Sequence, residues 1–165
     1  MSHSRIFKLQ ENYKEEEYSR IHEAEYYDNG FLDGYHDYVD EDTDLIEDYR
    51  WLAEGSHSML YTVRTDGSTI GDDEDPLAYL EVDVAKTSEY VNQRLKEYAE
   101  KVAENPKFAT SWQGKEMVEG DSSGFYFEVD GWGYMTEFEF LEHVADHYKQ
   151  GTVTYRLEGT LDYHC

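Results

Sequence analysis

Residues 136–163, TEFEFLEHVADHYKQGTVTYRLEGTLDY, change hydrophobic period halfway along. Thr136 and Glu139 have the spacing of a capping box, in which two side chains satisfy free backbone N–H groups at a helix start. Phe138, Leu141, Val144, Ala145 and Tyr148 follow at helical intervals and predict a helix over about 137–149. From Thr152 to Tyr163 the period shortens to alternation, with Val153, Tyr155 and Leu157 set against Thr154 and Arg156. That pattern predicts a closing strand, or a hairpin around Gly159.

Working back from this unit, Gly124 to Met135 reads as a strand interrupted by Gly131 and Gly133. Val91, Leu95, Tyr98 and Val102 define a helix capped by Thr87 or Ser88 and stopped at Asn105-Pro106. His57 to Thr65 and Leu77 to Val84 are rich in β-branched and aromatic residues, and the glycines and Pro76 between them make them paired strands. Asp44 and Glu47 resemble a capping box ahead of Leu45, Ile46, Tyr49, Leu52 and Ala53, a helix over about 44–54 that ends at Gly55. Ser4 to Gln10 opens the chain as a strand. Residues 11–29 carry no clear period, although Ile21, Ala24 and Tyr26 or Tyr27 suit part of a helix or an aromatic loop. Tyr79 to Asp83 and Tyr126 to Asp130 nearly match and hint at a duplicated strand-helix unit. Together these elements predict one α+β domain over residues 1–165, a mixed or antiparallel sheet of about five to six strands with two to three helices packed on it.

Composition is compatible with a folded core. Leu, Ile, Val and Phe number 32 of 165 residues, near the lower limit for a globular chain, but 16 Tyr and three Trp add large burial areas. No apolar run reaches membrane-spanning length, and Met1 to Gln10 lacks the apolar stretch of a signal peptide, so a cytoplasmic protein is expected. Cys165 is the only cysteine, which excludes an internal disulfide and any cysteine-built zinc site, and with no residues after it in this sequence a prenylation box is not expected.

The formal net charge of −24 is unevenly spread. Residues 11–54 hold 16 acids against three bases and residues 66–83 hold seven acids and no base, whereas residues 86–115 hold six bases and four acids. Salt adaptation would have coloured all three segments alike. Asp33, Asp37, Asp40, Asp44 and Asp48 recur at three- and four-residue steps, so on a continuous helix they would project from one side. Like charges at that spacing oppose folding unless a partner neutralises them. Seven tyrosines between Tyr13 and Tyr49 offer flat faces to arginine guanidinium groups. The candidate partner-binding set is therefore Asp33, Asp37, Asp40, Glu41, Asp42, Asp44, Glu47, Asp48, Asp72, Asp73, Glu74 and Asp75, with Tyr35 and Tyr38. Neutralising Asp37, Asp40, Asp44 and Asp48 is expected to remove the binding face and leave the fold intact.

Such a charge disfavours nucleic acid and anionic membrane as direct ligands and favours a basic nucleic-acid-binding protein. In size and charge the chain resembles the small acidic proteins of phages and mobile elements that imitate nucleic acid, such as anti-restriction and anti-CRISPR inhibitors. The likeness is compositional, and no motif assigns the chain to a named family. The alternative is an immunity or antitoxin protein that covers a basic nuclease toxin.

Catalytic motifs are weak. His143-Val-Ala-Asp146-His147 is similar to the H-x-x-E-H zinc motif, with Asp for the general-base Glu, and its histidines fall opposite the apolar helix face, toward solvent. An enzyme centred on this pair is the third reading. Asp40 to Asp44 begins like an EF-hand loop, but Leu45 stands where glycine is required. Asp72 to Asp75 could hold calcium only loosely, and phosphate-binding glycine loops are missing. No catalytic residue, metal site or cofactor is expected.

Overall fold

A computed structural model describes residues 3–11, 13–14, 17–28, 30–32, 37–55, 57–119 and 124–164. Among them the chain forms β1 (His3–Gln10), α1 (Ala24–Asp28), β2 (Tyr38–Asp40), α2 (Leu45–Ala53), β3 (Tyr61–Ile70), β4 (Asp75–Asp83) and α3 (Val84–Glu104). A 3-10 turn (Pro106–Thr110), α4 (Trp112–Glu119), β5 (Phe125–Val129), β6 (Gly133–Thr136), α5 (Glu137–His147) and β7 (Thr152–His164) complete it. The described strands make one mixed sheet in the order β3-β4-β7-β1-β5-β6, with β2 paired to β7 outside this path. β1 and β5 run parallel and the other pairs antiparallel. The class is α+β, as the periodicities predict, with more strands and helices than they reveal.

β7 is the axis of the sheet. β4 pairs with residues 152–156 and β2 with residues 162–164 along one edge, while β1 occupies the other. Gly159 does not turn the chain back into a hairpin; it forms a bulge. Phe7 lies opposite Thr160 and Leu9 opposite Leu157, so two steps on β1 match three on β7. Gly159 adopts φ +93°, a left-handed conformation that suits glycine, and its N–H donates to the Tyr49 hydroxyl at 3.0 Å.

The extra residue reverses the alternation. Before it, Val153, Tyr155 and Leu157 face the main core, formed with Phe7, Leu9, Leu80, Val82, Phe125 and Phe127 under α2, α3 and α5. After it, Leu161 belongs to a second cluster on the opposite face with Ile6, Ile21, Tyr26 and Val39, and Tyr163 packs against it. Both faces of the sheet are thus covered, the second by the acidic segment between β1 and α2. Arg156 and Glu158 lie on that second face, each 1% exposed, joined at 2.7 Å, with Arg156 also donating to the Lys14 carbonyl and lying over the Tyr13 and Tyr18 rings.

Local signals were read correctly where short-range hydrogen bonds decide them. Thr136 and Glu139 close the reciprocal capping box, and Asp44 accepts from the N–H groups of Ile46 and Glu47. α3 starts earlier than predicted because Asp83, the last residue of β4, caps it through Lys86 N–H. The 3-10 turn and α4 had no clear sequence signal, since Gly114, a poor helix former, stands in the first turn of α4. A Cβ there would lie 1.9 Å from the Phe108 carbonyl oxygen, so the close turn above it requires glycine. The repeated Tyr79 and Tyr126 segments share only their alternation: β4 enters a helix directly, and β5 enters a hairpin with β6 first.

Gly159→Ala places a side chain on a left-handed residue, 2.7 Å from Arg20 Cγ. A loss of about 2 kcal/mol is expected from the backbone strain, measured as a lower urea midpoint with unchanged slope. The buried tyrosines add a pH dependence. Burial pushes the hydroxyls of Tyr26, Tyr61, Tyr134 and Tyr155 far above their ordinary range, and burial with the Glu11 hydrogen bond lifts Tyr148 to about 12. The folded state therefore holds protons that the unfolded chain releases near pH 10. Stability is complete below that pH and drains away as it rises further, so tyrosinate absorbance should grow together with loss of near-UV circular dichroism. Full ionisation with native dichroism retained would contradict this.

Candidate anionic interface and the polar clusters beside it

The acidic row does not lie on one helix. Asp40 ends β2, residues 41–44 are irregular, and α2 begins only at Leu45. Asp33 and Tyr35 lie outside the described residues. Asp37 accepts a hydrogen bond from the Tyr163 hydroxyl at 3.1 Å. Asp48 is 4% exposed and belongs to the interior, bonded to Arg5 Nε at 2.8 Å and to the Thr160 hydroxyl at 2.6 Å. Asp75 is 6% exposed, bonded to the Tyr18 hydroxyl and paired with Arg20. Asp44 is exposed but committed as the α2 cap. Replacing the quartet Asp37, Asp40, Asp44 and Asp48 would therefore disturb the fold, contrary to expectation.

What remains at the surface is Asp40, Asp42, Glu47, Asp72, Asp73 and Glu74, all exposed, with Glu41 half-buried and accepting from Glu23 N–H. Two distant stretches of sequence converge here. Asp44, Ile46, Glu74 and Asp75 line one shallow depression of about 410 Å3, with Arg20 and Thr43 in its wall. Ile46, expected in the core, is 61% exposed at its rim. A neighbouring groove of about 480 Å3 runs between α2 and the β3-β4 hairpin, lined by Ile46, Arg50, Val63, Glu74 and Leu77. The depression thus joins the β2-α2 connection to the β3-β4 turn.

The tyrosines of this segment divide by role. Tyr18 and Tyr26 donate to Asp75 and Glu128, and Tyr49 accepts from Gly159, so these three are structural. Tyr13 stacks against Tyr79. Tyr38 is exposed and stacks flat on His164 at 4.0 Å between centroids, and Tyr27 is exposed as well.

His143 and His147 do not both face solvent. Trp132, from the β5-β6 turn, covers them at 4.8 and 4.5 Å, and His143 is only 7% exposed. Burial, then the neighbouring His147, pushes the His143 pKa down. His147 Nδ1 donates to the His143 carbonyl at 2.8 Å, and no third His, Cys, Asp or Glu ligand atom joins the pair among the described residues.

Two other clusters had escaped the sequence reading. Glu137, 1% exposed at the start of α5, receives the Tyr61 hydroxyl and lies 2.6 Å from His57 Nδ1, an ion-pair contact off the line of a well-directed hydrogen bond. His57 Nε2 and Arg94 both meet the Tyr90 hydroxyl, and Arg94 also donates to the Glu116 and Met117 carbonyls near the end of α4. This chain ties α3, α4, α5 and β3 together. The second cluster is His3, Asp162 and His164, whose ligand atoms lie within 4.8 Å of one another. Its only sequence signal was Asp162 and His164 two residues apart at the end of the strand predicted over Thr152 to Tyr163.

No protein-family model, curated protein or solved structure matches the chain. Asp48→Ala should cost about 3 kcal/mol, because Arg5 loses a buried partner, whereas Asp42→Ala should stay within about 0.5 kcal/mol. Equal denaturation midpoints for the two variants would contradict the division between interior and surface acids.

Proposed function

We propose that the protein is an acidic nucleic-acid mimic: a binder, not a catalyst, that occupies the basic groove of a DNA- or RNA-binding protein. An inhibitor of anti-restriction or anti-CRISPR type, acting in the cytoplasm, is its most concrete form. The observation that carries the reading is the meeting of Asp44, from the β2-α2 connection, with Glu74 and Asp75, from the β3-β4 turn and the start of β4, around one depression, although about 30 residues separate them in sequence.

Duplex DNA carries a charge per about 1.7 Å of axis, and its binding proteins answer with rows of Lys and Arg. Carboxylates held on two adjoining segments of a rigid sheet give such a row a preformed counterpart. Exposed Tyr38 and Ile46 add apolar contact beside the acids, a combination that suits arginine. A negative field of this size would also speed encounter with a basic partner. No helix among the described residues is long and apolar enough to cross a membrane.

The test uses purified restriction and CRISPR nucleases and basic nuclease toxins, each assayed for cleavage with and without the protein. Inhibition should weaken at least about tenfold when Asp40, Asp42, Glu47, Asp72, Asp73 and Glu74 are changed together to their amides. It should also fall steeply between about 50 and 500 mM salt, an approximately threefold change in screening length. Inhibition of a toxin alone would instead support the immunity-protein reading. Binding that ignores both salt and the amide variant would overturn either form.

A further inference from the structure

We infer that His3, Asp162 and His164 form a binding site for one divalent transition-metal ion of the zinc class. This inference is independent of the acidic depression and rests on the polar end of the sheet. His3 lies directly opposite His164 in the β1-β7 ladder, and Asp162 lies two residues before His164 on the same face, opposite Arg5. Three ligands suited to a borderline ion, two imidazoles and a carboxylate, therefore project together from backbone positions set by strand pairing.

The separations fit a shared ion. Zinc held tetrahedrally at about 2.0–2.2 Å by nitrogen and oxygen ligands keeps neighbouring ligand atoms roughly 3.3–3.6 Å apart, so the carboxylate–imidazole separations here need to change by only a few tenths of an ångström. Asp162 Oδ2 is 3.0 Å from His164 Nε2 and 3.3 Å from His3 Nδ1. The two imidazole nitrogens lie within 4.8 Å of each other, and the half-exposed His3 ring already packs edge-on against the His164 ring at 4.1 Å between centroids. Water would complete the coordination.

The surroundings prepare these ligands. Arg5 donates to Asp162 Oδ1 at 2.7 Å and so fixes the carboxylate, with Oδ2 toward His164 and both oxygens 3.3 Å from His3 Nδ1. Arg5 is itself held by Asp48 at 2.8 Å, and Asp48 by Thr160 at 2.6 Å, the kind of supporting chain that fixes metal ligands. Tyr38 stacks on the His164 ring and limits its rotation.

The charge balance also calls for a cation. In the β2-β7 ladder Asp40 stands directly opposite Asp162, an arrangement that repels when both are ionised. Asp48 and Asp162 share a single guanidinium, Arg5, while Asp40 flanks Asp162 from the other side of β7. A divalent ion against Asp162 relieves that excess. His143 and His147, nearer to a known zinc spacing, have no carboxylate with them at ligating distance among the described residues.

The test is zinc binding by the full chain, followed by calorimetry and by metal content after removal of excess ion, in buffer with enough magnesium to saturate diffuse carboxylate binding. One zinc per chain and a rise in Tm on zinc addition are expected. His3→Ala, at an exposed strand end, should leave the fold intact and weaken zinc at least tenfold, as should His164→Ala and Asp162→Ala. The His143→Ala/His147→Ala double variant should bind zinc like the parent. Failure of the folded parent to retain zinc against magnesium would overturn the site, and so would unchanged affinity in the His3→Ala variant or loss confined to the double variant.

Discussion

Between Leu9 and Phe7, β1 advances two residues while β7 advances three, and side-chain alternation along the central strand reverses across that step. Most of the architecture depends on this bulge. It keeps Tyr155 and Leu157 in the main core while sending Leu161 to the second cluster, so a strand of 13 residues serves two cores in succession. The glycine it requires is held by a hydrogen bond to Tyr49, which belongs to α2 on one face, and is closely approached by Arg20 and Ile21 from the other. The bulge is thereby fixed by packing on both sides of the sheet.

Covering the second face consumes much of the acidic N-terminal segment. Its Ile21, Tyr26 and Val39 bury apolar area, and its Lys14 carbonyl helps to satisfy the buried Arg156–Glu158 pair. Several of the chain's carboxylates are likewise internal. Asp48, Asp75, Glu137 and Glu158 are buried with hydrogen-bonding or ionic partners, as desolvated carboxylates must be. Net charge therefore overstates the anionic surface. Of the carboxylates left exposed on the β2-α2 connection and the β3-β4 turn, Asp44 and Glu74 line a common depression, and the proposed mimicry draws on these and the exposed acids of the same two stretches.

The reversed alternation has a second effect. Past Gly159 it turns Thr160, Asp162 and His164 toward the face that carries Arg5 and His3. Without the extra residue, Leu161 and Tyr163 would occupy that face. Asp48, Thr160, Arg5 and Asp162 then form a continuous hydrogen-bonded chain that ends at the two histidines.

By itself the sequence determined the local elements. Periodicity located β1, α2, α5, the β3-β4 pair and most of α3, because caps, apolar spacing and turn glycines act over a few residues. It also bounded the class as α+β and located the two acid-rich stretches. Tertiary structure alone decided which acids are surface and which are interior: Asp40 and Asp48 look alike in sequence, and only the placement of Arg5 and Thr160 tells them apart. The same holds for the histidines. His143 and His147 attracted attention through their four-residue spacing, whereas His3 and His164 meet across 161 positions because strand pairing brings the two ends of the described chain side by side. Contacts of that range depend on register, and register here depends on a one-residue bulge that alternation in a single strand does not reveal.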